Sequence, residues 1–293
     1  MSVERPPRLG ATWRGPRIRR REPVLRRLDW TFPAPPLTRR ELVSALPDRP
    51  SARPPVLLVH GAWHAAWCWQ EHWMPAMAAR GWEVHALSLR AHGGSEAPAN
   101  RALIPIRHYE HDVLQAITTL ERPPILIGHS MGGLIVQHVL ARYSAAPAGV
   151  LLAPVPPRHH GGALDAVGRA DPLALARALV GLHPRPRTTT MFGSATDPAD
   201  AARWAARLEP EPWLATLQLV LPRPSHEPSQ PVLVIGGGED RLTPPHAVAR
   251  TARELGTRAH LFPGMGHQLM LEPGWESVLD LALGWLDDVL IGA

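Results

Sequence analysis

A serine set between two glycines carries the strongest chemical signal in this sequence. Residues 128–132 read Gly-His-Ser-Met-Gly, with a short apolar run, 125–127, before them and a largely apolar stretch after them. The first run predicts a buried parallel strand and the second predicts a helix. A serine on a sharp turn between strand and helix needs small neighbours, and the helix N-terminus offers N–H groups to an oxyanion. We therefore predict that Ser130 is a nucleophile.

A serine hydroxyl is a weak nucleophile at neutral pH and requires a base. Sixteen histidines are available. His267 is the predicted base, because it ends the glycine-rich loop 263–267 after a short predicted strand, where a loop can project an imidazole over the sheet edge. His129, beside the nucleophile, is predicted to be structural.

An acid must orient that imidazole and stabilise its charged form. Asp240 follows the predicted strand Val232–Ile235 through a second glycine-rich loop, and Glu239 is the adjacent alternative. We predict a catalytic triad of Ser130, Asp240 and His267, in the chain order of serine, acid and histidine.

Two N–H donors complete the predicted chemistry. One is the Met131 N–H at the elbow, and the other is the Ala62 N–H in the loop after the predicted strand Val56–Val59, with Trp63 as the neighbouring candidate. The chain has no lysine, which excludes Schiff-base chemistry, and a single cysteine, Cys68, which excludes a disulfide framework. No metal or organic cofactor is expected.

Basic residues are concentrated at the start of the chain. Residues 1–53 hold 13 of the 31 basic and 5 of the 26 acidic residues, so the remainder has 18 basic and 21 acidic residues. The Arg- and Pro-rich stretch 1–54 predicts a loosely ordered extension; an anionic-surface tether or an edge strand near 24–32 are alternatives. The slightly acidic remainder argues against a nucleic-acid partner. Neither a membrane span nor a secretory signal is recognisable, which predicts a cytoplasmic protein.

The remaining residues, 55–293, predict one α/β domain in which strands and helices alternate, with a mostly parallel sheet covered by helices on both faces. The stretch 154–230 interrupts this alternation. It predicts an inserted helical cap over the carboxyl ends of the strands, with helical patches near 173–182 and 199–208. Outside the cap, helices are predicted at 67–80, 108–120, 245–255 and 275–290, and further strands at 84–89, 149–153 and 259–262.

Five segments in this order resemble the α/β-hydrolase superfamily. They are VHGAWHAAWCW (59–69), LRAHGGS (89–95), GHSMGG (128–133), GGGEDRLTP (236–244) and GMGH (264–267). The first and third are most similar to small-molecule carboxylesterases, including methylesterase-like and pyrethroid-hydrolase-like members.

Other members of the superfamily match less well at defined positions. Related hydroxynitrile lyases carry threonine where Gly61 stands and lysine where Gln268 stands. Haloalkane dehalogenases and epoxide hydrolases carry aspartate at the position of Ser130. The resemblance therefore implies a serine esterase.

We expect hydrolysis of a hydrophobic or aromatic small-molecule ester or lactone through an acyl-enzyme on Ser130, in a monomer or homodimer. Amide, thioester or carbon–carbon bond cleavage by the same triad stays open, as does a catalytically idle receptor. Predicted substrate-binding residues are Trp63, Trp67, Met191, Trp204 and Trp213.

Overall fold

The computed structural model describes residues 38–143, 145–156, 186–220 and 228–291, together with residues 173 and 176. The possible edge strand at 24–32, most of the Arg-rich extension and nearly all of the helical patch at 173–182 lie outside the described residues.

Within the described ranges, seven strands, numbered in chain order and bounded below, form one sheet in the order β1-β3-β2-β4-β5-β6-β7. All neighbouring pairs are parallel except β1 with β3, which is antiparallel. The predicted α/β-hydrolase architecture is confirmed, and the strand that leads to Ser130 lies at the centre of the sheet. The strands are β1 Leu42–Ala45, β2 Val56–Val59, β3 Val84–Leu87, β4 Ile125–His129, β5 Gly149–Leu152, β6 Val232–Gly237 and β7 Ala259–Phe262.

Helices connect the strands and cover both faces of the sheet. A 3₁₀ turn, Arg101–Leu103, precedes the helix that leads to β4. The helices are α1 Trp67–Gln70, α2 Trp73–Ala79, α3 Ile106–Thr119, α4 Met131–Tyr143, α5 Thr188–Met191, α6 Pro198–Ala205, α7 Trp213–Val220, α8 Pro245–Glu254 and α9 Trp275–Ile291.

The sequence pattern predicted one helix over 67–80, and the structure has two. His72 lies between α1 and α2 with a φ of −136°, which is not helical. The physical reason is Pro75, because proline has no N–H to donate to the carbonyl of residue 71 but is tolerated in the first turn of a new helix.

One strand precedes the first predicted one. Residues Leu42–Ala45 pair with β3 at the edge of the sheet, so part of the stretch predicted to be a loosely ordered extension belongs to the sheet. Four residues with a half-buried pattern give no periodicity long enough to predict a strand.

Side chains of β2 alternate between two apolar layers. Val56 and Leu58 face a layer rich in tryptophan that includes Trp69, whereas Leu57 and Val59 face a layer built with α3 and α4. This alternation follows from the pleat of a strand that is buried on both faces. None of the helices in the described ranges is both long and apolar enough to cross a bilayer.

The space available at the Cβ position predicts opposite outcomes for two glycine substitutions, one at the start of α4 and one in α9. A Cβ atom on Gly132 would lie 2.2 Å from the Val59 carbonyl oxygen. We expect Gly132→Ala to lower the melting temperature strongly or to prevent folding, because close-packed backbone cannot move aside. Gly284 is exposed within α9 and has open space at its Cβ position. Gly284→Ala should raise the melting temperature, since glycine inside a helix costs roughly 0.5–1 kcal/mol relative to alanine.

Thermal denaturation followed by circular dichroism measures both effects. A Gly132→Ala protein that melts together with the wild type would contradict the packing described for the elbow.

Candidate active site

Ser130 occupies a strained turn between β4 and α4. Its φ is 52°, a left-handed value that is rare for a residue other than glycine. Its N–H donates to the Leu152 carbonyl oxygen at 2.9 Å, and its carbonyl oxygen accepts from the Leu134 N–H at 3.2 Å. A Cβ atom on Gly128 would lie 2.4 Å from the Gly132 carbonyl oxygen, so only glycine permits the turn to close. The backbone therefore holds Ser130 at the carboxyl end of the central strand.

Asp240 and His267 form a buried pair. The distance from His267 Nδ1 to Asp240 Oδ2 is 2.8 Å, and both residues are less than 5% exposed. The other carboxylate oxygen, Oδ1, accepts from the backbone N–H groups of Leu242 at 2.8 Å and Thr243 at 2.9 Å. This arrangement orients the imidazole so that its Nε2 atom is free of the acid, as a base requires.

Glu239, the alternative acid, has a different partner. Its carboxylate accepts from the Ser194 N–H at 2.8 Å and from the Ser194 hydroxyl at 2.9 Å. These two donors lower the pKa of Glu239 below its ordinary value. Because Asp240 contacts His267 and Glu239 contacts Ser194, the geometry favours Asp240 as the acid.

A buried carboxylate, Glu272, holds the backbone on both sides of His267. It accepts from the N–H groups of Gly266 at 2.7 Å and Gln268 at 2.8 Å. It also accepts from the Gly193 N–H at 2.8 Å, which joins this loop to the segment after α5. Burial raises the pKa of Glu272 in spite of these donors.

His129 contacts the base from the other side. Its Nε2 atom lies 2.8 Å from the His267 carbonyl oxygen, and the centroids of the two rings are 4.7 Å apart. Burial, followed by the proximity of His267, holds the pKa of His129 well below its usual range. Burial likewise lowers the pKa of His64 to about 4. The imidazoles beside His267 are therefore neutral at physiological pH, and the ring of His129 supports the loop of His267.

The loop after β2 abuts Ser130. A Cβ atom on Gly61 would lie 2.8 Å from His129 Nδ1 and 2.9 Å from Ser130 Cβ. The Trp63 N–H donates to Glu211 Oε2 at 3.1 Å and is already committed, whereas no described residue accepts from the N–H groups of Ala62 and Met131. Of the two predicted candidates in this loop, the structure therefore favours Ala62 as an oxyanion donor.

The structure brings the predicted triad to one edge of the sheet without closing every contact. Asp240 and His267 are hydrogen-bonded, and His129, the residue directly before Ser130, contacts the His267 carbonyl oxygen. Within the described part of the chain, the Ser130 hydroxyl has no hydrogen-bond partner. Catalytic hydrogen bonds are often long without substrate and tighten when it binds.

The model of the alpha/beta hydrolase family matches residues 56–280. The chain belongs to this family. It is 37% identical over 81 residues to Methylesterase 3 of Arabidopsis thaliana, which covers 27% of this chain and 30% of the plant protein. It is 28% identical over 265 residues to monoacylglycerol lipase of Mycolicibacterium smegmatis, which covers 79% of this chain and 87% of that protein. The predicted resemblance to esterase-like α/β-hydrolases is thereby confirmed.

The match to the plant methylesterases spans about a third of their length. A solved structure, a thermophilic esterase from Thermogutta terrifontis, has a TM-score of 0.66 over 86% of this α/β-hydrolase and 94% of its own chain. Its sequence identity is 20%, so this likeness shows the shared fold.

The predicted substrate-binding residues of this α/β-hydrolase occupy different environments. Met191 is buried, and its carbonyl oxygen accepts from the His267 N–H at 2.9 Å. The Trp67 ring stacks on His64, and the Arg207 guanidinium lies over the same ring, 4.3 Å from its centroid. Trp204 stacks on Phe192 within the cap segment, meets the His72 ring of the domain edge-on, and is 3% exposed, so it packs between the cap and the domain. Trp63 and Trp213 are half-buried.

Three supporting residues are absent from the sequence-based prediction. The Thr243 hydroxyl lies 2.7 Å from Asp240 Oδ2 and 3.3 Å from His267 Nδ1. Glu211 and Glu272 accept backbone N–H groups from the loop after β2 and the His267 loop. A glutamate that directly follows an apolar run, as Glu272 follows residues 269–271, is a signal that could have indicated a buried acid.

The two neighbouring acids predict different outcomes for matched amide substitutions. Asp240→Asn should lower kcat by roughly 10²–10⁴-fold, because an amide favours the wrong imidazole tautomer and cannot stabilise the imidazolium. Glu239→Gln should leave kcat within about threefold, since Glu239 contacts Ser194. Steady-state kinetics on a p-nitrophenyl ester measures both. A larger loss in Glu239→Gln than in Asp240→Asn would reverse the choice of acid.

Proposed function

We propose that this protein is a serine carboxylesterase that cleaves a hydrophobic or aromatic small-molecule ester or lactone through an acyl-enzyme on Ser130. The observation that carries the proposal is the buried Asp240–His267 pair, 2.8 Å between Oδ2 and Nδ1, at the same sheet edge as the strained turn of Ser130. A serine held in an elbow beside an acid-oriented imidazole fits acyl transfer.

In the first step, the Ser130 hydroxyl attacks the ester carbonyl carbon while His267 Nε2 takes its proton. Asp240 stabilises the resulting imidazolium through Nδ1. The N–H groups of Ala62 and Met131 donate to the oxyanion, a role worth about 2.7–4 kcal/mol of barrier per donor in studied enzymes. The imidazolium then returns the proton to the leaving alcohol, and the C–O bond of the ester breaks.

In the second step, the same imidazole activates a water molecule. The water attacks the acyl carbonyl carbon, the proton passes to His267 Nε2, and the same two N–H groups hold the second oxyanion. Collapse of this intermediate returns the proton to Ser130 and releases the carboxylic acid.

Three observations support the ester bond and an apolar substrate. Relatives of this chain are named methylesterase and monoacylglycerol lipase, and both names describe ester bonds. Met191 and Trp67 are apolar and lie next to His267 and His64. The cyanohydrin reaction of related lyases is disfavoured, because glycine and glutamine stand at positions 61 and 268, where those enzymes carry threonine and lysine.

Replacement of the nucleophile tests the proposal directly. Ser130→Ala should lower p-nitrophenyl butyrate turnover by at least about 10³-fold, because it removes the atom that forms the acyl-enzyme. The matched control is Ser277→Ala, an exposed serine in the first turn of α9, which should retain wild-type kcat.

A fluorophosphonate probe followed by peptide mass spectrometry provides the second readout. The wild type should be labelled on Ser130, and the Ser130→Ala protein should not be labelled at that peptide. If ester turnover survives in Ser130→Ala, the proposed nucleophile is wrong; if the wild type neither turns over esters nor reacts with the probe, a receptor role replaces the esterase.

A further inference from the structure

The segment Glu-Pro-Glu-Pro, residues 209–212, joins the two cap helices α6 and α7. Each glutamate precedes a proline, which disfavours helical backbone and keeps the glutamates extended. In extended backbone, side chains two residues apart point to the same side. Arg101 donates to the Pro210 carbonyl oxygen at 2.7 Å, so the domain also holds the middle of this segment.

Trp63 lies in the loop after β2, residues 60–64, here called the oxyanion loop. Its backbone N–H and carbonyl groups are both hydrogen-bonded to the Glu-Pro-Glu-Pro segment. The Trp63 N–H donates to Glu211 Oε2 at 3.1 Å. The Trp63 carbonyl oxygen accepts from the Glu209 N–H at 2.8 Å. The φ of Trp63 is 64°, a left-handed value that a tryptophan rarely adopts and that needs external support. The cap therefore supplies hydrogen bonds at the strained position of this loop.

Glu211 is itself held rigidly. It is 1% exposed and accepts from the Tyr109 hydroxyl at 2.7 Å and from His92 Nε2 at 3.1 Å. Burial alone would raise the pKa of Glu211, but His92, together with the Tyr109 and Trp63 donors, lowers it below the ordinary value. The carboxylate is thus ionised at neutral pH and fixed between the loop after β3, helix α3 and the oxyanion loop.

The carbonyl oxygens of Gly61 and Ala62, in the same loop, also have hydrogen-bond donors. The Gly61 carbonyl oxygen accepts from His60 Nδ1 at 2.8 Å and from the His64 N–H at 3.3 Å. The Ala62 carbonyl oxygen accepts from His64 Nδ1 at 2.8 Å. With these groups and the Trp63 N–H bound, the Ala62 N–H remains for the substrate oxygen.

We propose that Glu211 is a positioning residue, through which the seated cap holds the Trp63 peptide in place and makes the Ala62 N–H the oxyanion donor. This inference rests on the proposed esterase function. Without the Glu211 contact, Trp63 is free to leave its left-handed conformation, and the Ala62 N–H turns away from Ser130. The cap then contributes to the rate of acyl transfer as well as to substrate binding.

The experiment compares Glu211→Ala and Glu211→Gln with the wild type on p-nitrophenyl butyrate. Removal of one oxyanion donor costs about 10²–10³-fold in kcat. We expect Glu211→Ala to lower kcat at least tenfold with KM changed less than threefold, and to slow fluorophosphonate labelling of Ser130 by a similar factor. Glu211→Gln should recover kcat to within threefold, because its amide oxygen replaces Oε2 toward Trp63 and its NH₂ group can donate to the Tyr109 oxygen.

A matched control separates positioning from general loss of stability. Glu110 is a buried glutamate that pairs with a buried histidine, His138, at 2.6 Å between α3 and α4. Glu110→Ala should lower the melting temperature as Glu211→Ala does, but should leave kcat unchanged at temperatures where it is folded. If Glu211→Ala does not fold, Glu211→Asp serves instead, since the shorter carboxylate cannot reach the Trp63 N–H, and the same tenfold loss is expected.

Each other outcome overturns the inference in a distinguishable way. A folded Glu211→Ala or Glu211→Asp protein with kcat within threefold of the wild type would exclude positioning, as would a rise in KM at constant kcat, which indicates substrate binding alone. An equal kcat loss in Glu110→Ala would assign the effect to stability. If the wild type lacks ester turnover and Ser130 labelling, the proposed function fails and this inference fails with it.

Discussion

The left-handed backbone of Ser130 is the constraint on which the rest of the site depends. Such a conformation costs of order 1–3 kcal/mol and persists only where the surroundings over-determine it. Here they do, because Gly128 packs against the Gly132 peptide and Gly132 packs against the end of β2. The chain cannot relax at Ser130 without separating α4 from the central strand. The location of the elbow then explains why the proposed oxyanion donor Ala62, acid Asp240 and base His267 lie on loops at the same edge, after β2, β6 and β7.

A second constraint is electrostatic. In the proposed acyl transfer, His267 gains a positive charge, so a charged neighbour of the same sign would raise the barrier. His64 and His129 surround this position, and burial lowers the pKa of both rings so that they stay neutral. The carboxylate of Asp240 is the charged group in direct contact with the imidazole. Burial thus keeps His64 and His129 uncharged beside the imidazole that is proposed to act as the base.

Residues that a local sequence pattern marks were predictable, whereas residues that act through contacts distant in sequence were not. Short apolar strands followed by glycine-rich loops indicated Ser130, Asp240 and His267, and the structure pairs the last two. The alternation of strands and helices indicated a mostly parallel α/β sheet, and the resemblance of five ordered segments implied the α/β-hydrolase fold. The break near His72 is encoded by Pro75, whereas β1 has too few residues for a period. Glu211 and Glu272 bind partners 148 and 79 residues away, and no local pattern encodes such contacts.

These two buried carboxylates connect the described cap segment, 186–220, to two loops of the domain. Glu211 reaches from the cap to the oxyanion loop, and Glu272 reaches from the His267 loop to Gly193 near the start of the cap segment. A buried carboxylate that loses its donors is costly, as is a buried N–H without an acceptor. Lifting the segment would break both contacts together, so its position is coupled to the backbone geometry of the loop after β2 and of the His267 loop. Under the proposed function, the cap segment therefore helps to hold the oxyanion donor and the base in place, besides covering the substrate.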